Sequence, residues 1–199
     1  NRKNIWIATS NGINCIDYKT KKITRFYPKS INKECTTNII NRLLKHSDGN
    51  VYAFCNRSVF KCSMNQTVET VFPDIAIPSP TYSVAQAPDK DIYIGTESNG
   101  LYIYSENWKL KKHVPIDGII ATILPDNNGD IWLGLDETGI CLFNKNKQTF
   151  TWLHKDNTNL NNNSIRTFVS YGDSSILVGT FRGLNILNKK ELTITPANI

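Results

Sequence analysis

The chain has 199 residues, 40% hydrophobic and 20% charged, a composition that suits a globular fold and excludes a disordered one. No run nears the roughly 18 apolar residues of a bilayer-crossing helix, and the net charge of +6 does not gather into the basic face that nucleic acid would require. It is carried partly by Lys21-Lys22, Lys111-Lys112 and Lys189-Lys190, at comparable places before or within expected outer strands. Lysine there protects a sheet edge from unwanted pairing, so these clusters read as solvated turns and edges.

From the N-terminus, five segments read alike. They are NIWIATSNGINCID from Asn4, NVYAFCNRSVFKC from Asn50, DIYIGTESNGLYIY from Asp91, DIWLGLDETGICLF from Asp130 and SILVGTFRGLNILN from Ser175. Each is an apolar run, a polar turn and a second apolar run. The large residue at the second apolar position is Trp6, Tyr52, Tyr93, Trp132 and Leu177 in turn, recurring about every 40–45 residues. Short strands at that period are the mark of a β-propeller.

The repeat from Ile119 to Lys155 fills one period. IIATILP, IWLGL, ICLFN and TFTWLHK are four strands, separated by the turns DNNGD, DETG and NKNKQ. Ile39 to Leu44, Tyr82 to Ala85 and Ser164 to Val169 match the first strand, and Ile23 to Tyr27 and Leu192 to Ile194 the outer one. Helical periodicity is not sustained anywhere. The expected fold is therefore all-β, a propeller segment of about five four-stranded antiparallel blades. The blade pieces are 1–30, 37–73, 80–114, 118–155 and 163–196. No innermost strand precedes Asn4, and no secretory leader is recognisable there. The count becomes four complete blades plus three strands, expected to belong to a larger ring of the seven-bladed type. The alternative is a closed five-blade ring with a short first blade.

Packing explains most recurring residues. Gly12, Gly100, Gly139 and Gly183 follow the polar turn, where positive φ or close backbone approach is expected. Gly95, Gly134 and Gly179 sit mid-strand, where a missing side chain admits a neighbour. Trp6 and Trp132 are expected as plugs between blades, and Trp108 and Trp152 as rim packing. Cys15, Cys35, Cys55, Cys62 and Cys141 show neither C-x-x-C nor zinc spacing. With a turn at Asn56-Arg57-Ser58, Cys55 faces Val59 and Cys62 faces Tyr52. The thiols are thus expected to be mostly free and packed, compatible with the cytoplasm and with a bacterial periplasm.

The pattern of an apolar strand, D-x-x-G-D-I-W-L-G, a turn, G-I/L and a second apolar strand resembles the two-component regulator propeller repeat. NNGDIWLGLDETGICLFN is the nearest copy, and LHKDNTNLNNNSIRTFVSYGD resembles that family's blade-to-blade link. NVYAFCNRSVF departs most, lacking both the W-x-G and the turn glycine. The resemblance covers essentially the whole chain. It implies the periplasmic sensor region of a hybrid two-component histidine kinase. In the parent chain it implies further propeller blades, a β-sandwich, a membrane helix, a kinase core and often receiver and DNA-binding domains. A homodimeric receptor that senses polysaccharide breakdown products is the implied context.

No P-loop, G-x-S-x-G or H-E-x-x-H motif is present. No catalytic residue, metal ligand or cofactor is assigned. His46, His113 and His154 are dispersed, and adjacent Asp136-Glu137 do not flank a bond as a glycosidase pair does. Asn56, Asn65 and Asn162 begin sequons of the kind an Asn-rich chain makes by chance. Propeller ligands usually sit over the axis, on turns between second and third strands and on the starts of innermost strands. That rule selects Arg57, Glu97, Asn99, Glu137, Phe181 and Arg182 from the turns and Asn41, Tyr82 and Arg166 from the inner strands. Amides, carboxylates, guanidinium groups and aromatic platforms are side chains that bind sugars, so an oligosaccharide is the expected ligand. The alternatives are a protein-interaction scaffold without small-molecule ligand and a polysaccharide lyase or glycosidase propeller.

Overall fold

The computed structural model describes residues 4–33, 35–63, 65–71, 77 and 79–197. The first sheet holds β1 (Asn4–Thr9), β2 (Gly12–Asp17) and β3 (Ile23–Phe26) in sequential order. A single turn of helix, α1 (Pro28–Ile31), follows in the link to the second blade. Proline opens it, where its missing N–H would be unpaired anyway.

Four four-stranded sheets come next, each in sequential antiparallel order. They are β4 (Arg42–Lys45), β5 (Val51–Cys55), β6 (Ser58–Cys62) and β7 (Val68–Val71); then β8 (Thr81–Gln86), β9 (Ile92–Thr96), β10 (Leu101–Tyr104) and β11 (Leu110–Val114). The fourth blade is β12 (Ile120–Pro125), β13 (Asp130–Leu135), β14 (Gly139–Asn144) and β15 (Thr149–Leu153). The fifth is β16 (Ile165–Tyr171), β17 (Ser175–Thr180), β18 (Gly183–Asn188) and β19 (Ile194–Pro196). Five successive blades are thus present, the first with three strands among the described residues. The outermost parts of the expected pieces at 1–3 and 72–73 lie outside the described residues. No helix among the described residues is long and apolar enough to cross a membrane.

The core is not inside the blades but between them. One apolar cluster joins blades one and two through Ile13, Ala53 and Phe60, with Trp6 against it. A second joins blades two and three through Tyr52, Phe54, Ile94 and Trp108. A third joins three and four through Tyr93, Leu101, Leu133 and Phe143. The fourth joins four and five through Trp132, Ile165, Phe168 and Val178. The repeating large residue therefore always fills the junction with the following blade. Alternation makes this possible, since Tyr52 and Ala53, one residue apart, point to opposite faces of the sheet. Leu177, the fifth in that series, is only half-buried. Ile5 and Ile7 on the first blade, and Val169 and Tyr171 on the fifth, are exposed. A closed five-blade ring would cover such residues.

The mid-strand glycines fit this packing. A Cβ on Gly95 would come within 2.6 Å of the Ile120 side chain, and one on Gly134 within 2.5 Å of Ile165. In each case the first isoleucine of one blade's inner strand sits over the glycine of the blade before. Ser83 strengthens the first of these contacts by donating to the Ile120 carbonyl at 2.6 Å.

Several local expectations shift. The β5–β6 turn contains two residues, Asn56 and Arg57, with Asn56 at φ 53°. Cys55 therefore pairs with Ser58, and Cys62 with Val51, not with Val59 and Tyr52. Ile39 to Asn41 precede β4 instead of opening it. Ile40 N–H donates to Thr9 O of the first blade at 3.0 Å, whereas Asn41 N–H already donates to Phe54 O of its own blade at 2.8 Å. All five cysteines are buried and unbridged.

Two of the three lysine clusters are not merely solvated, whereas Lys21 and Lys22 are exposed as expected. Lys189, before β19, bridges to Asp126 of the fourth blade at 2.9 Å. Lys145 makes the matching bridge one blade earlier, to Asp89 at 2.5 Å and to buried Asp91 at 2.6 Å. Lys111 reaches Asp91 from its own blade at 2.5 Å. Burial alone would lower the Lys145 pKa, but the carboxylates of Asp89 and Asp91 raise it well above the usual value. Trp108 packs at the rim as expected, 4.7 Å from Tyr52 between ring centroids.

Beside it, Asp48 accepts from Tyr52 Oη at 2.8 Å and from the Asn50 N–H at 2.8 Å. Burial would push this carboxyl up, but the bonds from Asn50, Tyr52 and His46 outweigh it and hold the pKa at about 2. A carboxylate held below its unfolded value stabilises the fold above about pH 4, and that contribution fades as pH falls towards 2. Asp48→Asn is expected to cost about 1 kcal/mol at pH 7, the nominal linkage value being roughly halved for solvent screening. Denaturant titrations should show the gap closing by about pH 2.

Candidate functional site

Strand register places the candidate residues at one end of the blades. Ile120 pairs with Leu135, Ile165 with Thr180 and Arg42 with Phe54. The start of each inner strand thus lies beside the turn between second and third strands of its own blade. This end is the upper face; the lysine–aspartate bridges occupy the lower one. Backbone bonds fix the upper turns: Glu97 N–H donates to Pro80 O, Asp136 N–H to Ile119 O and Phe181 N–H to Ser164 O, each at 3.0 Å. Gly139 completes its turn at φ +96°, where a Cβ would stand 2.5 Å from the Leu153 carbonyl.

The fourth and fifth blades bring three side chains together there. Arg166 Nη1 lies 2.9 Å from Asp136 Oδ2. The same guanidinium lies 5.6 Å from the centroid of the Phe181 ring, and that ring is 71% exposed. The two charged side chains are 47% and 22% exposed respectively, so the pair contributes little to stability. Its effect is positional: one edge of the guanidinium is held, and a guanidinium carries further N–H donors that one carboxylate contact does not use. Asp136 was not among the residues selected from sequence; its neighbour Glu137, which is exposed, was. The adjacent carboxylate pair was the available signal.

A second group lies between blades two and three. Asn41 Nδ2 donates to the Thr81 carbonyl at 3.1 Å. Asn41, Arg42, Thr81 and Tyr82 line a small cavity of about 210 Å³, with Tyr82 37% exposed. Arg57, Glu97 and Arg182 are exposed on their turns. Asn99 is drawn outwards instead. Its Nδ2 donates to Tyr102 Oη at 2.7 Å, and its carbonyl lies 2.7 Å from His113 Nε2. His113 in turn stacks on Tyr102 at 4.4 Å. Asn99 is therefore a rim-locking residue of the third blade.

Sequence reasoning also missed a groove of about 490 Å³ at the junction of blades three and four, lined by Asp117, Thr138, Phe150, Trp152 and His154. Trp152 and His154 are nearly coplanar-stacked, 6.0 Å apart at 3°. From sequence, Trp152 on or near an outer strand suits either rim packing, the favoured reading, or a partner surface.

Solved structures share this fold along nearly the whole chain. One is the extracellular domain of BT3049, assigned to a hybrid two-component system of B. thetaiotaomicron. It is 24% identical, with 100% of this chain and 27% of that chain covered at a TM-score of 0.74. The extracellular domain of BT4673 from the same organism is 19% identical, covers 92% and 25%, and gives 0.76. PorZ, a surface component of the type-IX secretion system of Porphyromonas gingivalis, is 14% identical, covers 96% and 31%, and gives 0.73. The shared property is the propeller fold. No protein-family model and no curated protein sequence matches the chain. The chain spans about a quarter to a third of the length of these structures.

Proposed function

We propose that this chain is part of the extracytoplasmic, ligand-sensing region of a hybrid two-component receptor, and that its upper face binds an oligosaccharide. The observation that carries the ligand class is Arg166 held by Asp136 beside the exposed ring of Phe181. An aromatic plane accepts the apolar face of a pyranose, and the guanidinium and carboxylate bond its hydroxyl or carboxylate groups. Fold likeness to extracellular domains assigned to such systems, over essentially this whole chain, supports the receptor context. In that context the domain is periplasmic, works with other propeller blades and domains of its parent chain, and belongs to a homodimer. Binding would bias two arrangements of the neighbouring modules by differential affinity. The downstream result would be transcription of polysaccharide-use genes.

Calorimetry of the complete sensor region against acidic and neutral oligosaccharides tests this. Arg166→Ala is expected to weaken binding at least tenfold, about 1.4 kcal/mol, and Phe181→Ala to weaken it several-fold. Flat titrations across the whole panel would favour a protein-interaction scaffold. Turnover of a polysaccharide that vanishes in Asp136→Asn/Glu137→Gln would favour a lyase or glycosidase.

A further inference from the structure

Cys35 and Cys55 bring their sulfurs to 3.4 Å. Cys35 lies in the link between α1 and β4, and Cys55 ends β5, immediately before the Asn56-Arg57 turn of the upper face. Both are buried, with 6% and 0% exposure. The sequence gives no hint of this pair, because Cys35 stands outside every strand and its place is set by the inter-blade link. That link is anchored locally, Cys35 N–H donating to Asn32 O at 3.0 Å, and the Cys55 thiol donates to Thr37 O at 3.3 Å. A disulfide needs the sulfurs at about 2.05 Å. A closure of roughly 1.3 Å is within reach of side-chain rotation and a small shift of the link.

We propose that Cys35 and Cys55 form a disulfide that staples the inter-blade link to the β5–β6 turn. Cys35 is the entry point, being the less buried residue, and the pair borders a cavity of about 300 Å³ lined also by Thr36, Asn56 and Arg57. The oxidant is a small-molecule or protein disulfide. The Cys35 thiolate, its proton lost to solvent, attacks one oxidant sulfur and forms a mixed disulfide, expelling the first thiolate. The Cys55 thiol then loses its proton and attacks the Cys35 sulfur, expelling the second. Two protein thiols are oxidised, the oxidant disulfide is reduced, and the two protons end on its two thiolates. Burial and the adjacent Cys35 thiol both push the Cys55 pKa up, so the second step quickens with rising pH. The bond fixes the turn that carries Arg57. Its presence in the cell rests on the extracytoplasmic reading above; its chemistry does not.

The test is thiol mapping of the whole chain. The protein is incubated with oxidised glutathione at alkaline pH, alkylated under denaturing conditions, digested and weighed. The expected result is one cross-linked peptide pair joining Cys35 to Cys55, lighter by two hydrogens than the reduced pair, with Cys15, Cys62 and Cys141 alkylated. Dithiothreitol should reverse it, and the oxidised form should melt about 6–12 °C higher. Five alkylated cysteines after oxidation, or a cross-link between any other pair, would overturn the proposal. No variant is required, so misfolding cannot mask the answer. The same map made on protein from native cells separates the two readings. A pair that links in vitro but stays reduced in the cell leaves the assignment standing and counts against an extracytoplasmic location.

Discussion

Trp132→Ala is expected to lower the unfolding free energy by about 3–5 kcal/mol. Trp132 is 1% exposed and sits among Ile140, Leu160, Ile165, Phe168, Ile176 and Val178, at the junction of the fourth and fifth blades. Truncation removes the apolar transfer energy of a large ring. It also leaves a void that strands pinned on both sides by hydrogen bonds cannot close. The indole N–H has no hydrogen-bond partner among the described residues. Trp132→Phe, which deletes that buried donor while keeping much of the ring, should therefore cost far less, about 1 kcal/mol. Urea titrations of both variants read the difference as a fall in midpoint at unchanged slope. Equal losses for Ala and Phe would mean that ring volume is not what the junction uses.

Gly134→Val is expected to be comparably severe, about 3 kcal/mol or more, by the opposite mechanism. The new Cβ would stand 2.5 Å from Ile165 Cγ2 and 2.6 Å from Thr122 Cγ2. Neither neighbour can retreat, since Thr122 belongs to the adjacent inner strand and Ile165 begins the next blade's. Gly134 has no positive φ, so the cost is steric and not conformational. A double variant tests this directly. Gly134→Val combined with Ile165→Ala should lose less than the two single losses summed, with a coupling of about 1–3 kcal/mol. Strict additivity would show that the two residues do not compete for the same space.

Blade number, strand order and the role of Trp6 and Trp132 as plugs between blades are legible in the sequence because all follow from periodicity; which neighbouring blade they face is not. A residue that fills the same kind of junction in every blade must recur at the blade period. Positions governed by the links are not legible in that way. Ile40 stands outside the strand that Asn41 leads into because its N–H bonds to Thr9 O, a partner over thirty residues away. Cys35 met Cys55 for a similar reason. Lys111 and Lys189 read as solvated because their aspartate partners sit on another turn or the neighbouring blade, at a separation that no local window spans. The site was legible as a face but not as a cluster. Arg166 and Phe181 belong to one blade and were both selected. Asp136, which orients the arginine, belongs to another, and only the angle between adjacent blades decides which of two neighbouring carboxylates it meets.

Every apolar cluster described above is shared by just two successive blades, and the isoleucine-over-glycine contacts join the same neighbours. The molecule is therefore a linear series of junctions, each with its own local free energy, and cooperativity passes from one junction to the next. Arg166 and Asp136 straddle the junction that Trp132 and Gly134 build from below. A ligand bridging these two side chains would add its binding free energy to that one junction. Amide exchange would then slow most in β13, β16 and β17, with protection falling away blade by blade on the side of blade three.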